Sequence, residues 1–258
     1  MSPGSKTTGK HGTMGFFYGG KSVDIFSRTE LLIGKEGLLK LKNSTVAVFG
    51  IGGVGSFAVE GLVRAGVGKL VLIDGDNVCV TNINRQIHAT THTIGKPKVE
   101  VMKDRILEIN PQAQVIIFKE FYSSENSDRL LSKEYDYVID AIDRVPSKID
   151  LIEKCISLNI PIVSSMGAGN KLDPTKFEVT DIYKTSVCPL AKIVRRELKK
   201  RGIKSLKVVY SKEEPLKNFY QSEETVTYSK SVPGSISFVP SVAGLILAAE
   251  VVKDLLKK

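Results

Sequence analysis

Apolar and polar positions change period in a regular order along the chain. Residues 28–41 (RTELLIGKEGLLKL) carry short helical stretches interrupted by glycine. Residues 46–49 (VAVF) are a short apolar run of the kind buried strands show, 55–65 (GSFAVEGLVRA) have helical spacing, and 70–73 (LVLI) form a second apolar run ending at Asp74. A polar, irregular segment fills 75–95. Val99, Met102, Ile106 and Ile109 then mark a helix over 98–110 that Pro111 stops. Further on, 115–118 (VIIF) reads as a strand, 127–133 as a short helix, 137–142 (YVIDAI) as a strand, 147–158 as a helix and 161–164 (PIVS) as a strand. Strands alternating with helices predict a mostly parallel sheet covered on both faces.

The last third breaks that rhythm. Residues 176–182 (KFEVTDI) alternate as a strand, 189–201 (PLAKIVRRELKKR) predict a helix stopped by Gly202, and 206–210 (LKVVY) predict another strand. Residues 211–233 are polar and read as a mobile loop. From Ser241 the run SVAGLILAAEVVKDLL predicts an apolar helix that meets Glu250 well short of the roughly 20 residues a membrane span needs, so a buried or interface helix is expected. The fold class is therefore α/β: a Rossmann-like, mostly parallel sheet with helices on both faces, extended by a C-terminal antiparallel portion. Residues 1–27, glycine-rich and without apolar periodicity, read as a flexible N-terminal extension, leaving 28–258 as a single domain.

Composition narrows the class. The 258 residues are 42% hydrophobic, enough for a sizeable core. A net charge of +9 favours an anionic partner, although solubility alone also accounts for it. The three cysteines, Cys79, Cys155 and Cys188, lie far apart and form no C-x-x-C pair, which argues against a disulfide framework and a four-cysteine zinc site and points to a reducing compartment. The first residues show no signal-peptide pattern.

The candidate chemistry starts where the first strand ends. Gly50, Gly52 and Gly55 in VFGIGGVGS give a G-x-G-x-x-G turn between a strand and a helix, with Gly53 beside them. Such a turn brings backbone N–H groups and a helix N-terminus to phosphate oxygens, although it also serves as a tight strand–helix connection alone. Asp74, about 20 residues on, stands where a ribose hydroxyl is held. Beyond it, Asp76, Asn82, Asn84, Arg85, Gln86 and Lys98 form a polar set. Nicotinamide binding needs no such cations, whereas a triphosphate with about four charges does. In DAID, Asp140 lies within the strand and Asp143 just past its end, where ligands of open α/β sheets bind. Asp143 is a candidate for holding magnesium against phosphates, or alternatively a cap for the following helix. Lys192, Arg195, Arg196 and Lys199 recur three or four apart on the predicted helix, with Lys171, Lys204 and Lys207 nearby; they make a candidate nucleic-acid surface or an ordinary solvated face. Cys188 precedes Pro189 in a loop-like context with no clear base and reads as a bystander.

Taken together, G-x-G-G-V-G-S, L-I-D-x-D, T-N-x-N-R-Q, G-x-x-K and D-A-x-D resemble the ubiquitin-activating-enzyme superfamily, which includes the adenylyltransferases for molybdopterin synthase and the thiamine sulfur carrier. The likeness runs from about Arg28 to the C-terminus. It implies ATP with magnesium and attack of a carboxylate on the α-phosphate. By position it implies that Gly50 to Gly55 cradle the nucleotide, Asp74 holds the ribose, Asn82, Arg85 and Lys98 contact phosphates, Asp143 binds magnesium, and Arg28 reaches into the site of a partner subunit in a symmetric homodimer. Asp76 and Gln86 join the nucleotide site, and Arg28, Arg85, Lys98 and Asp143 form the catalytic set.

Within that superfamily, SSMGAGNKLDPT, DIYKT, PLA and VPSVAG resemble the tRNA threonylcarbamoyladenosine dehydratases, which lack the zinc site of the sulfur-carrier enzymes. The resemblance implies a cytoplasmic enzyme without zinc or a membrane span. It would use ATP to cyclise the threonylcarbamoyl group on the tRNA adenosine beside the anticodon, with sulfur-relay or desulfurase-type proteins as further candidate partners. The alternatives are an adenylyltransferase acting on the C-terminal glycine of a ubiquitin-like sulfur carrier, a scaffold that binds ATP without turnover and, least favoured, a nicotinamide oxidoreductase.

Overall fold

The computed structural model describes residues 6–8, 14–18, 21–219 and 233–257. The expected 211–233 loop therefore lies outside the described residues from 220 to 232. A seven-stranded sheet has the order β6-β5-β4-β7-β8-β10-β9, where β4 is Thr45–Phe49, β5 Lys69–Ile73, β6 Gln114–Phe118, β7 Tyr137–Asp140, β8 Ile162–Ser165, β9 Phe177–Asp181 and β10 Lys207–Ser211. Every neighbouring pair is parallel except β9 with β10. This is the expected doubly wound sheet with an antiparallel edge. Residues 1–27, read as a flexible N-terminal extension, are described only at 6–8, 14–18 and from 21 on. Three short strands, β1 (Lys6–Thr8), β2 (Met14–Tyr18) and β3 (Lys21–Val23), pair antiparallel in a separate sheet.

The helices sort to the two faces by the period of two along each strand. Val46, Val48, Leu70, Leu72, Ile139, Val163 and Val209 point to one face. There they meet α2 (Gly55–Ala65), α3 (Lys98–Ile109) and the last helix, α7 (Phe238–Lys257), through Leu62, Met102 and Leu247. Ala47, Phe49, Val71, Ile73 and Val138 point to the other face, against α4 (Ser127–Leu130) and α5 (Val145–Ser157); Val208 and Tyr210 pack there on α5 and α6 (Pro189–Lys200). Helix α1 (Ser27–Asn43) breaks at Gly34, where φ is 71° and ψ 172°.

Helix α7 is the apolar run read from Ser241, and no helix among the described residues is long and apolar enough to cross a membrane. It lies against α2 at close range. A β-carbon on Gly244 would overlap the Val54 carbonyl and come 2.9 Å from the Ala58 nitrogen, and Ala248 faces Gly61 across the same seam. Small residues thus let two backbones touch. On the polar side, the Lys207 ammonium bonds Asp254 at 2.5 Å and the Tyr137 hydroxyl donates to the same carboxylate at 2.8 Å, tying α7 to β10 and β7.

This packing carries a prediction. Gly244→Ala forces α7 away from the start of α2 and should lower unfolding free energy by about 1–3 kcal/mol, the usual penalty for overpacking; denaturant unfolding measures it, and an unchanged midpoint would show that the seam can relax.

Candidate functional site

The sheet reverses its order of connection between β4 and β7, and the loops leaving these two strands diverge over a cavity of about 640 Å3 at the carboxyl edge. Open α/β sheets bind ligands at this switch point. Gly50, Gly52, Gly53, Asp74, Asp76, Asn82, Arg85, Gln86, Lys98 and Asp143 all line it. Apart from Gly55 and Arg28, the whole expected nucleotide and catalytic set is brought together here. Gly55 starts α2 directly below, and a β-carbon there would overlap the Gly50 carbonyl oxygen. Gly50 itself has φ 89°, and a β-carbon on it would sit 2.7 Å from the Ala141 oxygen. The turn closes only because these two positions carry hydrogen.

The polar residues are held by one another. Asp74 accepts the Ile51 N–H on one carboxylate oxygen at 2.6 Å and the Asp76 N–H on the other at 2.8 Å, which locks the glycine turn to the end of β5. Burial pushes its carboxyl above the ordinary range, opposed by the Lys98 charge and these two N–H groups. Each oxygen retains a second lone pair for a ribose hydroxyl. Lys98, buried at the start of α3, bonds the half-exposed Asp76 carboxylate at 2.8 Å. Arg85 is steered by the Thr81 carbonyl at 2.7 Å and the Asn84 side chain at 2.8 Å. Asn84 in turn donates to the Ser235 carbonyl at 3.0 Å, at the cavity rim. Asn82 accepts the Cys79 N–H and so shapes its own turn. The Gln86 Oε1 is buried and has no hydrogen-bond partner, an acceptor on the cavity wall that a ligand donor would satisfy.

These features fit a nucleoside triphosphate: a glycine cradle with no room for side chains, two cations, and an unpaired acceptor. A divalent ion fits more narrowly. No group of three or more His, Cys, Asp and Glu side chains is poised to hold a metal among the described residues, so Asp143 would share an ion with phosphate oxygens. Asp143 is exposed on the cavity wall. The alternative reading of it as a helix cap does not hold, because α5 starts at Val145 with Arg144 in the capping position.

The remaining residues singled out in the sequence divide between buried and exposed positions. Asp140 ends β7 and is fully buried, paired with Lys148 at 2.7 Å. Sequence reading missed Lys148; its one signal was a lysine on the stripe of α5 that also carries Leu151, Ile152 and Cys155. Arg28 is exposed on α1 and does not line this chain's own cavity. Lys192, Arg196 and Lys199 are exposed on α6, but Arg195 is half-buried and donates to the Thr185 carbonyl and hydroxyl at 2.8 and 2.7 Å. Lys171 is buried on the Glu213 carbonyl and Lys207 pairs with Asp254, so neither extends the basic surface; Lys204 is exposed. Cys188 is buried in the α5–α6 core rather than displayed in a loop.

His88 was also missed. It is 3% exposed, and neither ring nitrogen has a partner. Burial, with Lys98 and Arg105 nearby, lowers its pKa to about 4. The neutral ring suits the fold, so the unfolded chain gains the proton first and stability falls as pH drops from the ordinary value of 6.5 toward 4. His88→Leu should therefore match the parent near neutrality and gain roughly 2–3 kcal/mol relative to it by about pH 4.5. Urea melts at the two pH values measure this; a constant difference between the proteins would refute it.

Comparisons with known proteins extend over nearly the whole chain. A family model described as the ThiF family matches residues 26–258. A tRNA threonylcarbamoyladenosine dehydratase of Bacillus subtilis is 52% identical over 240 residues, covering 90% of this chain and 94% of its own length. The crystal structure of the Escherichia coli tRNA N6-threonylcarbamoyladenosine dehydratase in complex with ATP superposes with a TM-score of 0.82 at 37% identity, covering 90% of this chain and 93% of that one. An adenylyltransferase and sulfurtransferase of Drosophila yakuba is 37% identical, but over 57% of this chain and 32% of its own length.

Proposed function

The chain belongs to the ThiF family, and from that premise we propose that it is an ATP-dependent tRNA threonylcarbamoyladenosine dehydratase. One observation carries the reading: the cavity that collects Gly50, Gly52, Gly53, Asp74, Arg85, Lys98 and Asp143 belongs to a chain that matches dehydratases of this kind over nine-tenths of its length. The sulfur-carrier alternative has only partial relatives in its favour.

The threonyl carboxylate is a poor electrophile because its oxygen is a poor leaving group. Its oxygen attacks the α-phosphorus of ATP, the bond to the bridging oxygen breaks, and pyrophosphate leaves. A nitrogen of the same side chain then attacks the activated acyl carbon and closes a ring, and AMP departs with the carboxylate oxygen. The tRNA has lost the elements of water. Holding both groups on one nucleotide makes the closure intramolecular, so no covalent enzyme intermediate is required.

The residues divide this work. Arg85 and Lys98, both on the cavity wall, would supply the cations that the phosphates need, and the N-terminus of α2 would add its N–H groups. Gln86 and Asp74 offer acceptors to the nucleoside. Asp143 would hold magnesium with the phosphate oxygens, and such an ion supplies neutralisation of the charge that builds on the departing pyrophosphate. Exposed Lys192, Arg196 and Lys199 on α6, with Lys204 beyond its end, offer phosphate contacts to tRNA.

Arg28 completes a site in trans. On the same helix Leu31 and Leu32 are 81% and 87% exposed, and Leu245 of α7 is also solvent-facing. Apolar side chains displayed this way favour a homodimer in which Arg28 enters the neighbouring cavity. Arg28→Ala and Asp143→Ala should each abolish AMP release on modified tRNA, while mixed dimers of the two recover activity because one of their two sites is intact. No recovery in confirmed mixed dimers would place Arg28 outside the partner's site, and full activity of Asp143→Ala would remove its role.

The basic helix gives a second test. Lys192→Glu, Arg196→Glu and Lys199→Glu together should weaken tRNA binding and lower the salt slope by about one per lost phosphate contact. Arg195 is left in place because it holds the Thr185 loop. Filter binding over a salt series reads the result, and an unchanged slope would make this an ordinary solvated face.

A further inference from the structure

The most unusual group in the molecule is not on the cavity wall. Lys148 is a lysine at 0% exposure, in the first turns of α5, and its ammonium spends all three N–H donors inside the protein. It donates to Asp140 Oδ2 at 2.7 Å, to Ser164 Oγ at 3.2 Å and to the Ser165 carbonyl at 3.0 Å. Asp140 is equally buried. Its Oδ2 also accepts the Ser164 hydroxyl at 2.5 Å, and its Oδ1 accepts the Ile142 N–H at 3.1 Å. Replacing a buried ion pair by apolar residues of similar size is often neutral or stabilising, so folding energy alone does not account for it.

Its neighbours give the reason. The acceptors come from the ends of β7 and β8, and the loops that leave those two strands both wall the cavity, one through Ile142 and Asp143, the other through Ala168 and Gly169. The Ile142 N–H bond folds the backbone after Asp140 into a turn. The Ala141 N–H donates to the Phe49 carbonyl at 2.8 Å, and the Ala141 oxygen is the atom that excludes a side chain at Gly50. One ammonium therefore fixes the carboxylate that holds the turn carrying Asp143 and ties it to the opposite wall, while the Ala141 N–H bond seats that turn on the glycine cradle. Its charge also offsets the Asp140 carboxylate three residues before Asp143.

We propose that Lys148, acting through Asp140, is a positioning residue that sets the 141–143 turn, and with it Asp143, against the phosphates. It touches no substrate. The proposal rests on the role given above to Asp143, but its structural part stands apart from that role. Asp140→Asn with Lys148→Met removes both charges at nearly constant volume and leaves an acceptor for Ile142 N–H.

This double variant should melt cooperatively and bind ATP, by calorimetry, within about threefold of the parent. Its kcat for AMP release on modified tRNA should fall about 10²-fold with little change in KM for ATP, as a misplaced group predicts. Without any ligand, amide hydrogen exchange at Ala141 and Ile142, whose N–H groups donate to the Phe49 carbonyl and to the side chain at 140, should quicken about tenfold or more. A folded variant with parental kcat and parental exchange would overturn the proposal. Exchange is read on the protein alone, so it decides the positioning claim even if the parent proves inactive on modified tRNA, an outcome that would instead sink the functional reading.

Should the double variant not fold, Ser164→Ala keeps both charges and removes one shared partner. It should show the same two effects, reduced to about fivefold in kcat; parental values in both would overturn the proposal.

Discussion

Two chain segments far apart in sequence come together at one point, and the rest of the site follows from it. The turn after β4 and the loop after β7 approach so closely that the Ala141 carbonyl fills the space a side chain at Gly50 would need. The same turn leaves no room for one at Gly55. With only hydrogen at these places, α2 begins directly at the sheet edge and aims its free N–H groups into the cavity. Asp74 then fastens the turn by accepting Ile51 and Asp76 N–H groups. A cradle made of backbone is rigid, and rigidity is what a phosphate site needs if its donors are not to reorganise during reaction.

Charge is allotted around that point with little redundancy. Two aspartates stand three residues apart and have opposite fates. Asp140 is sealed beneath the site with Lys148, while Asp143 remains exposed on the cavity wall. Lys98 and Arg85 stay within the site yet are steered by Asp76, Thr81 and Asn84 rather than left to roam. Steering of this kind reduces the side-chain entropy lost when a ligand arrives. Elsewhere the excess positive charge divides between structural and displayed groups: Lys171, Lys207 and Arg195 hold the fold, and Lys192, Arg196, Lys199 and Lys204 face solvent.

The antiparallel edge and α7 belong to the same design. Helix α7 lies in the seam against α2 through Gly61, Gly244 and Ala248, so the helix whose N-terminus faces the phosphates is backed by a buried neighbour. Its polar side is anchored through Asp254 to Lys207 and Tyr137. The last helix thereby braces the first strand–turn–helix unit, though nearly two hundred residues separate them.

Much of this was legible in the sequence. Alternating apolar runs located the seven strands of the main sheet, and the order of glycines, Asp74, the 82–98 polar set and Asp143 located one site, because strand periods and tight turns are local and each demands particular residue types. Helix α2 was read with its observed ends for that reason. What the sequence did not disclose depends on which residues from distant segments meet. Lys148 resembles any helical lysine until Asp140 and Ser164 surround it; His88 resembles a loop histidine until burial removes its partners; Arg195 belongs to a basic row until Thr185 captures it. Burial and pairing are properties of the packed chain, and in a low-dielectric interior they decide whether a charged group binds, braces or stays neutral.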